Sequence, residues 1–145
     1  MYPLGHFALG YFTAILSKKY HPTKLNIIIL WVFSVLPDID IFFPEILHRG
    51  PTHSIIPGLL ALTISLLLYR DGIPYCIALL SHPILGDYFT AYGCQLLWPI
   101  NNIFYRFSIT LKLNAFQLTL ELIIFLISLY YLRYHLKNTK DHKAP

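Results

Sequence analysis

The sequence predicts an all-α integral membrane protein, a compact bundle of about five helices, and three observations predict it. The 145 residues are 56% apolar and only 12% charged, with a mean hydropathy of +0.56, too greasy for an ordinary water-soluble domain. The apolar residues fall into five runs joined by short polar connections. No ten-residue alternating pattern of a membrane barrel is present, and an unpaired backbone group in hydrocarbon costs several kcal/mol, so helices are the available solution. A single domain, residues 1–136, holds all five runs, and residues 137–145 read as a disordered basic tail.

The first run, residues 3–17, has no basic residues before it and carries Lys18 and Lys19 after it. That order is wrong for a cleaved signal peptide, so it reads as the first helix of the mature chain. The second, 25–43, is interrupted by "PDID". The third, 54–69, follows the turn residues Gly50 and Pro51, with Thr52 or Ser54 as its cap. The fourth covers 73–89 and the fifth 116–134. Several fall short of the roughly 20 residues that a spanning helix wants, so tilting, local thinning or burial against neighbours is expected to help. Between the last two, residues 91–115 mix Trp98, Phe104, Tyr105 and Phe107 with polar residues, which suits an interfacial cap or hairpin and equally a plain aromatic anchoring belt.

Lysine and arginine placement predicts the orientation, because positive residues are retained on the cytoplasmic side. Lys18, Lys19, Lys24, Arg70, Arg133, Lys137, Lys140 and Lys143 fall on one side; Arg49, Arg106 and Lys112 fall on the other. The amino terminus is therefore expected outside the cell (inner or plasma) membrane and the carboxyl tail in the cytoplasm. A formal charge of +4 with scattered basic residues makes no nucleic-acid stripe. Cys76 and Cys94 lack a C-x-x-C spacing and read as small buried hydrophobes.

Threaded on this topology, seven metal-ligating side chains from four segments gather at the outer face: His6, Asp38, Asp40, His48, His53, His82 and Asp87. An ionised Asp at membrane depth needs a partner, and Arg49 is the one nearby fixed cation for three carboxylates. Divalent ions would supply the missing charge. Imidazole suits zinc, iron or copper and carboxylates bridge ions, so the set suits two or three ions with open positions for water, an arrangement that favours hydrolysis. Each residue alone has a plainer reading. Asp38 after Pro37 fits a helix-ending turn with Asp40 as cap; "GPTHS" fits a helix start; His82 fits a histidine hydrogen-bonded between helices; Asp87 fits a polar residue at the water boundary; His6 lies near the amino terminus. Glu45, His21, His135 and His142 read as solvated, and Glu121, inside the fifth run, has no assigned partner.

"LPDID", "HRGPTHS" and "LSHPILGDYFTAYGCQLLWP", preceded by "GH" at Gly5 and His6, together resemble the YdjM-like family of membrane-bound proteins described as metal-dependent hydrolases. The resemblance covers about residues 4–110 and extends distantly to zinc-dependent phospholipase C and P1-type nucleases. It implies an inner-membrane protein whose functional set is the seven residues above, with Arg49 and Thr52 nearby. One departure is that His82 and Asp87 are five apart instead of four, which turns Asp87 away from His82 on a regular helix unless a bulge or break at Pro83 restores the alignment.

The expected function is a membrane-embedded metal-dependent hydrolase that cleaves a phosphoester, in a lipid or lipid-linked substrate, at the non-cytoplasmic face. Its expected metal ligands are His6, Asp38, His48, His53, His82 and Asp87, holding two or three ions of zinc, with manganese or iron as alternatives. Asp38 or Asp40 accepts a proton, Asp40 bridges ions or orients a ligand, and Arg49 with Thr52 meets the substrate phosphate. The rival reading is a non-catalytic membrane protein that binds or handles a divalent cation; a third is a scaffold whose cluster is structural.

Overall fold

The computed structural model describes residues 2–20, 23–43, 45–107 and 115–141, the last seven as backbone only. The described residues contain five α-helices: α1 Pro3–Ser17, α2 Ile27–Val35, α3 Ile55–Leu68, α4 Ile73–Ser81 and α5 Ala115–Asp141. The described residues contain no β-strand, so the predicted all-helical class and the number of helices hold. The predicted lengths do not. Among the described residues only α5 is long and apolar enough to cross a membrane, over Ala115–Tyr134.

The shortfall has a local cause. Pro37 has no N–H to continue the α-helical ladder, so α2 ends at Val35 and the chain tightens into a 3-10 turn, Leu36–Phe42. The run after Ile73 is also divided. It passes from α4 into a π turn, His82–Gly86, and then a 3-10 turn, Asp87–Phe89. Of the predicted tail, residues 137–141 continue α5 and residues 142–145 lie outside the described part, as do Lys112 and His21.

Caps mark the starts. Asn26 accepts from the backbone N–H groups of Ile28 and Ile29 at α2, and Ser54 accepts from Ile56 N–H at α3. The start of α1 is held from elsewhere. Glu121 on α5, 3% exposed, accepts from the backbone N–H of Tyr2 (3.2 Å) and of Gly5 (3.1 Å) and from the Gln117 amide (2.8 Å). A carboxylate from another helix thus satisfies donors that every helix start leaves open, and it explains an acidic residue in an apolar run.

The packing places small and polar side chains inside and large apolar ones outside. Ala8, Ala14, Ala78, Ser17, Ser34 and Ser81 are buried, while Ile28, Val32, Leu60, Leu67, Leu118 and Leu126 are exposed. Helix α1 sits at the centre against α2, α4 and α5, and α3 packs on α4. At its crossing with α2, Gly10 is indispensable, since a Cβ there would overlap the Ser34 side chain. Close approach through small residues is how helices associate where the surroundings are themselves apolar. The amino ends of α1 and α3 and the carboxyl ends of α2 and α4 meet at one end of the bundle, where every candidate ligand lies.

Candidate metal centre

Six short pieces of chain deliver side chains to that end, the 3-10 turn Asp87–Phe89 bringing Asp87. The first turn of α1 carries His6, the turn Leu36–Phe42 carries Asp38 and Asp40, the following loop carries His48 and Arg49, the 3-10 turn Pro51–His53 carries His53, and the π turn carries His82. The π turn also resolves the spacing of five. Asp87 N–H reaches the His82 and Pro83 carbonyls, so one wide turn brings position 87 back over position 82 where an α-helix would rotate it away. His82 Nε2 and Asp87 Oδ2 are 3.3 Å apart.

Four donor atoms converge. Asp38 Oδ1, His53 Nε2, His82 Nε2 and an Asp87 oxygen lie within 4.8 Å of one another. The nitrogen to oxygen distances are 3.3 Å for His53 to Asp38, 3.2 Å for His53 to Asp87, 3.5 Å for His82 to Asp38 and 3.3 Å for His82 to Asp87. Four ligands about 2.0–2.1 Å from a shared centre stand about 3.3–3.4 Å from each other when tetrahedral. The four nitrogen to oxygen edges match that figure. His82 Nε2, fully buried, makes no hydrogen bond, which is how a nitrogen aimed at a point between carboxylates behaves. The site fits a divalent ion.

Both imidazoles are held by their other nitrogen. His82 Nδ1–H donates to the Ser34 carbonyl at 2.7 Å, and His53 Nδ1 lies 3.0 Å from Thr52 Oγ1 and 3.3 Å from Asp40 Oδ2. These partners favour the tautomer that leaves each Nε2 bare as a ligand. Asp40, 2% exposed, is itself saturated. Its Oδ1 meets His48 Nδ1 at 2.9 Å, and its Oδ2 accepts from Arg49 N–H at 3.1 Å and Thr52 Oγ1 at 2.8 Å. Burial works against a proton on His53, but the Asp38 and Asp87 carboxylates outweigh it and raise its pKa.

The remaining predicted residues surround these four. Asp40, His48 and His53 make a second group of possible ligands. His48 is the outermost, its side chain 45% exposed. His6 stacks flat on His82, ring centroids 3.6 Å apart, with its Nε2 3.9 Å from Asp87 Oδ1, and it stands outside the group of four. Gly86 makes room for it: a methyl group there would collide with the His6 ring. Arg49 turns through a left-handed backbone (φ 63°) fixed by Gln95 N–H donating to its carbonyl. Its guanidinium bonds Thr90 Oγ1 at 2.6 Å, approaches Asp87 Oδ1 at 3.4 Å and lies over the Tyr92 ring. Thr52 bonds Asp40. The orienting Ser34 carbonyl, Thr90 and Gln95 were not among the sequence candidates; a backbone carbonyl leaves no mark in sequence.

Of the connection predicted over residues 91–115, residues 91–107 and 115 are described, and residues 94–105 fold back on themselves. Cys94 and Tyr105 exchange backbone hydrogen bonds of 3.1 and 2.9 Å, Gly93 (φ 67°) makes the turn before them, and Ser54 Oγ donates to the Leu96 and Trp98 carbonyls. The hairpin thereby clasps the start of α3. Burial pushes the Cys94 thiol up to about 12, with the Asp87 charge adding to it, so Cys94 stays a protonated, buried side chain.

Compared with known families, residues 1–141 match the model described as YdjM inner membrane protein. No curated protein and no solved structure matches the chain.

Proposed function

From the premise that the chain belongs to the YdjM inner membrane protein family, we propose that it is a membrane-embedded metal-dependent hydrolase acting on a phosphoester in a lipid or lipid-linked substrate. The observation that carries this is the convergence of donor atoms from Asp38, His53, His82 and Asp87 at a place that opens outward through Asp38, 24% exposed, where water could join a bound ion as a further ligand. In the bilayer the bundle stands with this end at the non-cytoplasmic face. Lys18, Lys19 and Arg70 lie at the opposite helix ends, which the preference for positive residues in the cytoplasm favours.

Asp38, His53, His82 and Asp87 would hold the ion, zinc by its preference for mixed nitrogen and oxygen ligands, with manganese or iron as alternatives. Asp40 and His48, bonded to each other, would serve to orient His53 in place of holding an ion of their own. When bound, a divalent ion there acidifies water and offsets the charge that develops on a phosphoester. The chain's own contributions are distinct. Ser34, Thr52 and Asp40 orient the imidazoles, and Arg49 steadies Asp87 and adds positive charge beside the substrate phosphate. His6 shields the inner side of His82, and the exposed His48, held by Asp40, faces the side from which water enters.

The test is hydrolysis of phospholipid phosphoesters by the protein reconstituted in vesicles, with His53→Ala alongside. Turnover that chelation abolishes and His53→Ala removes, with helical content kept, is expected. Metal-dependent cation flux across the vesicle without hydrolysis would instead establish the ion-handling reading.

A further inference from the structure

We propose that the turn Leu36–Phe42 is a saddle for one two-chain, phosphate-bearing lipid, with a hydrocarbon chain in each of the two grooves beside it and the head group at Asp38. The proposal rests on the hydrolase reading, because without a divalent ion the Asp38 carboxylate would repel an anionic head.

Access is the first observation. Of the four converging ligands, the His53 and His82 side chains are 0% exposed and that of Asp87 is 2%, whereas Asp38 is 24% exposed. The centre opens outward at Asp38. That residue lines a groove of about 370 Å³ whose other walls include Phe7, Val32, Val35, Ile41 and Phe42. Asp38 is the only ionisable residue among the described residues of that wall, so a molecule that reaches the centre by this groove passes along hydrocarbon. A water-soluble phosphoester has no reason to take such a path; a lipid already lies in it.

The second observation is the matching groove on the other side of the turn. It holds about 320 Å³, and its walls include Pro51, Pro57, Gly58, Leu79 and Pro83. Leu36 and Ile39 line both grooves, so the two meet across this one ridge. Each volume is at the small end of ordinary ligand sites, and each wall is almost wholly apolar. A partner helix would offer one continuous stripe to one groove. Two short grooves parted by a ridge that carries the charged residue fit a forked ligand: two chains and one head.

In apolar surroundings a chain gains nothing by leaving lipid, so selectivity comes from packing alone and is on the order of tenfold. The experiment is native mass spectrometry of detergent-purified protein with dioleoyl phosphatidic acid and, separately, single-chain oleoyl lysophosphatidic acid. Val32→Trp blocks the first groove and Pro57→Trp the second; both residues are exposed and neither touches a ligand. Leu126→Trp on the exposed face of α5 is the control. The expected result is one retained two-chain lipid in the wild type, about tenfold over the single-chain lipid, with either groove variant, but not the control, reduced to the single-chain level. Equal retention of both lipids, or unchanged retention in both groove variants, would overturn the saddle. Elemental analysis of the same samples separates the two readings. Absent metal defeats the hydrolase reading, whereas metal present with indifferent retention defeats the saddle alone.

Discussion

At Asp40 both carboxylate oxygens are committed, one to His48 and one to Arg49 N–H and Thr52, so its part in the centre is to hold imidazoles in place. Asp40→Asn keeps the shape but replaces an acceptor with a donor opposite His48 or Thr52. A 10–100-fold loss of metal affinity is expected, the usual cost of removing an orienting partner, with little change in helical content; titration calorimetry checks it. Gly86 faces the ring of His6, and Gly86→Ala is expected to cost about 1–3 kcal/mol by overpacking, read as a lowered thermal midpoint. At this scale the seven candidate residues stood out because ionisable side chains are so rare in the apolar runs, and six of them fall in the two groups that could hold an ion. Which four converge was not legible, since His6 and His48 lie beside the others and differ from them only in where their rings point.

Two of the departures from regular α-helix, the turn that follows α2 and the one that follows α4, shape the centre. The 3-10 turn after α2 follows from Pro37, and a proline is visible in sequence, so a break near "PDID" was expected there. The π turn was visible only as a mismatch: a spacing of five between His82 and Asp87 that α-helical geometry does not accommodate, followed by a geometry that does. Glu121 on α5 was legible as an anomaly and not as a cap, because its partners are backbone N–H groups more than a hundred positions away. Glu121→Ala leaves those donors without their acceptor and is expected to cost about 1–3 kcal/mol. Glu121→Gln, which keeps one carbonyl oxygen, should cost less; thermal unfolding in detergent ranks the three proteins.

Across the whole molecule, the number of helices and their gathering of polar groups at one end followed from hydropathy and from lysine placement. Their lengths did not follow, because apolar composition runs on through a proline while the α-helix does not, and four of the five helices are too short to cross a membrane by themselves. The orientation makes its own prediction. A cysteine placed at Arg106 should react with a membrane-impermeant thiol reagent added outside intact cells, and one placed at Lys143 should not, the native Cys76 and Cys94 being buried; the reverse pattern would invert the bundle. A divalent ion held by Asp38, His53, His82 and Asp87 is what these features of the molecule would support. The most direct measurement is elemental analysis of detergent-purified protein under metal-replete conditions, wild type beside His53→Ala and His82→Ala. The account predicts a stoichiometric transition metal in the wild type and its loss in both variants. A wild type without such a metal, or variants that keep it in full, would contradict the account.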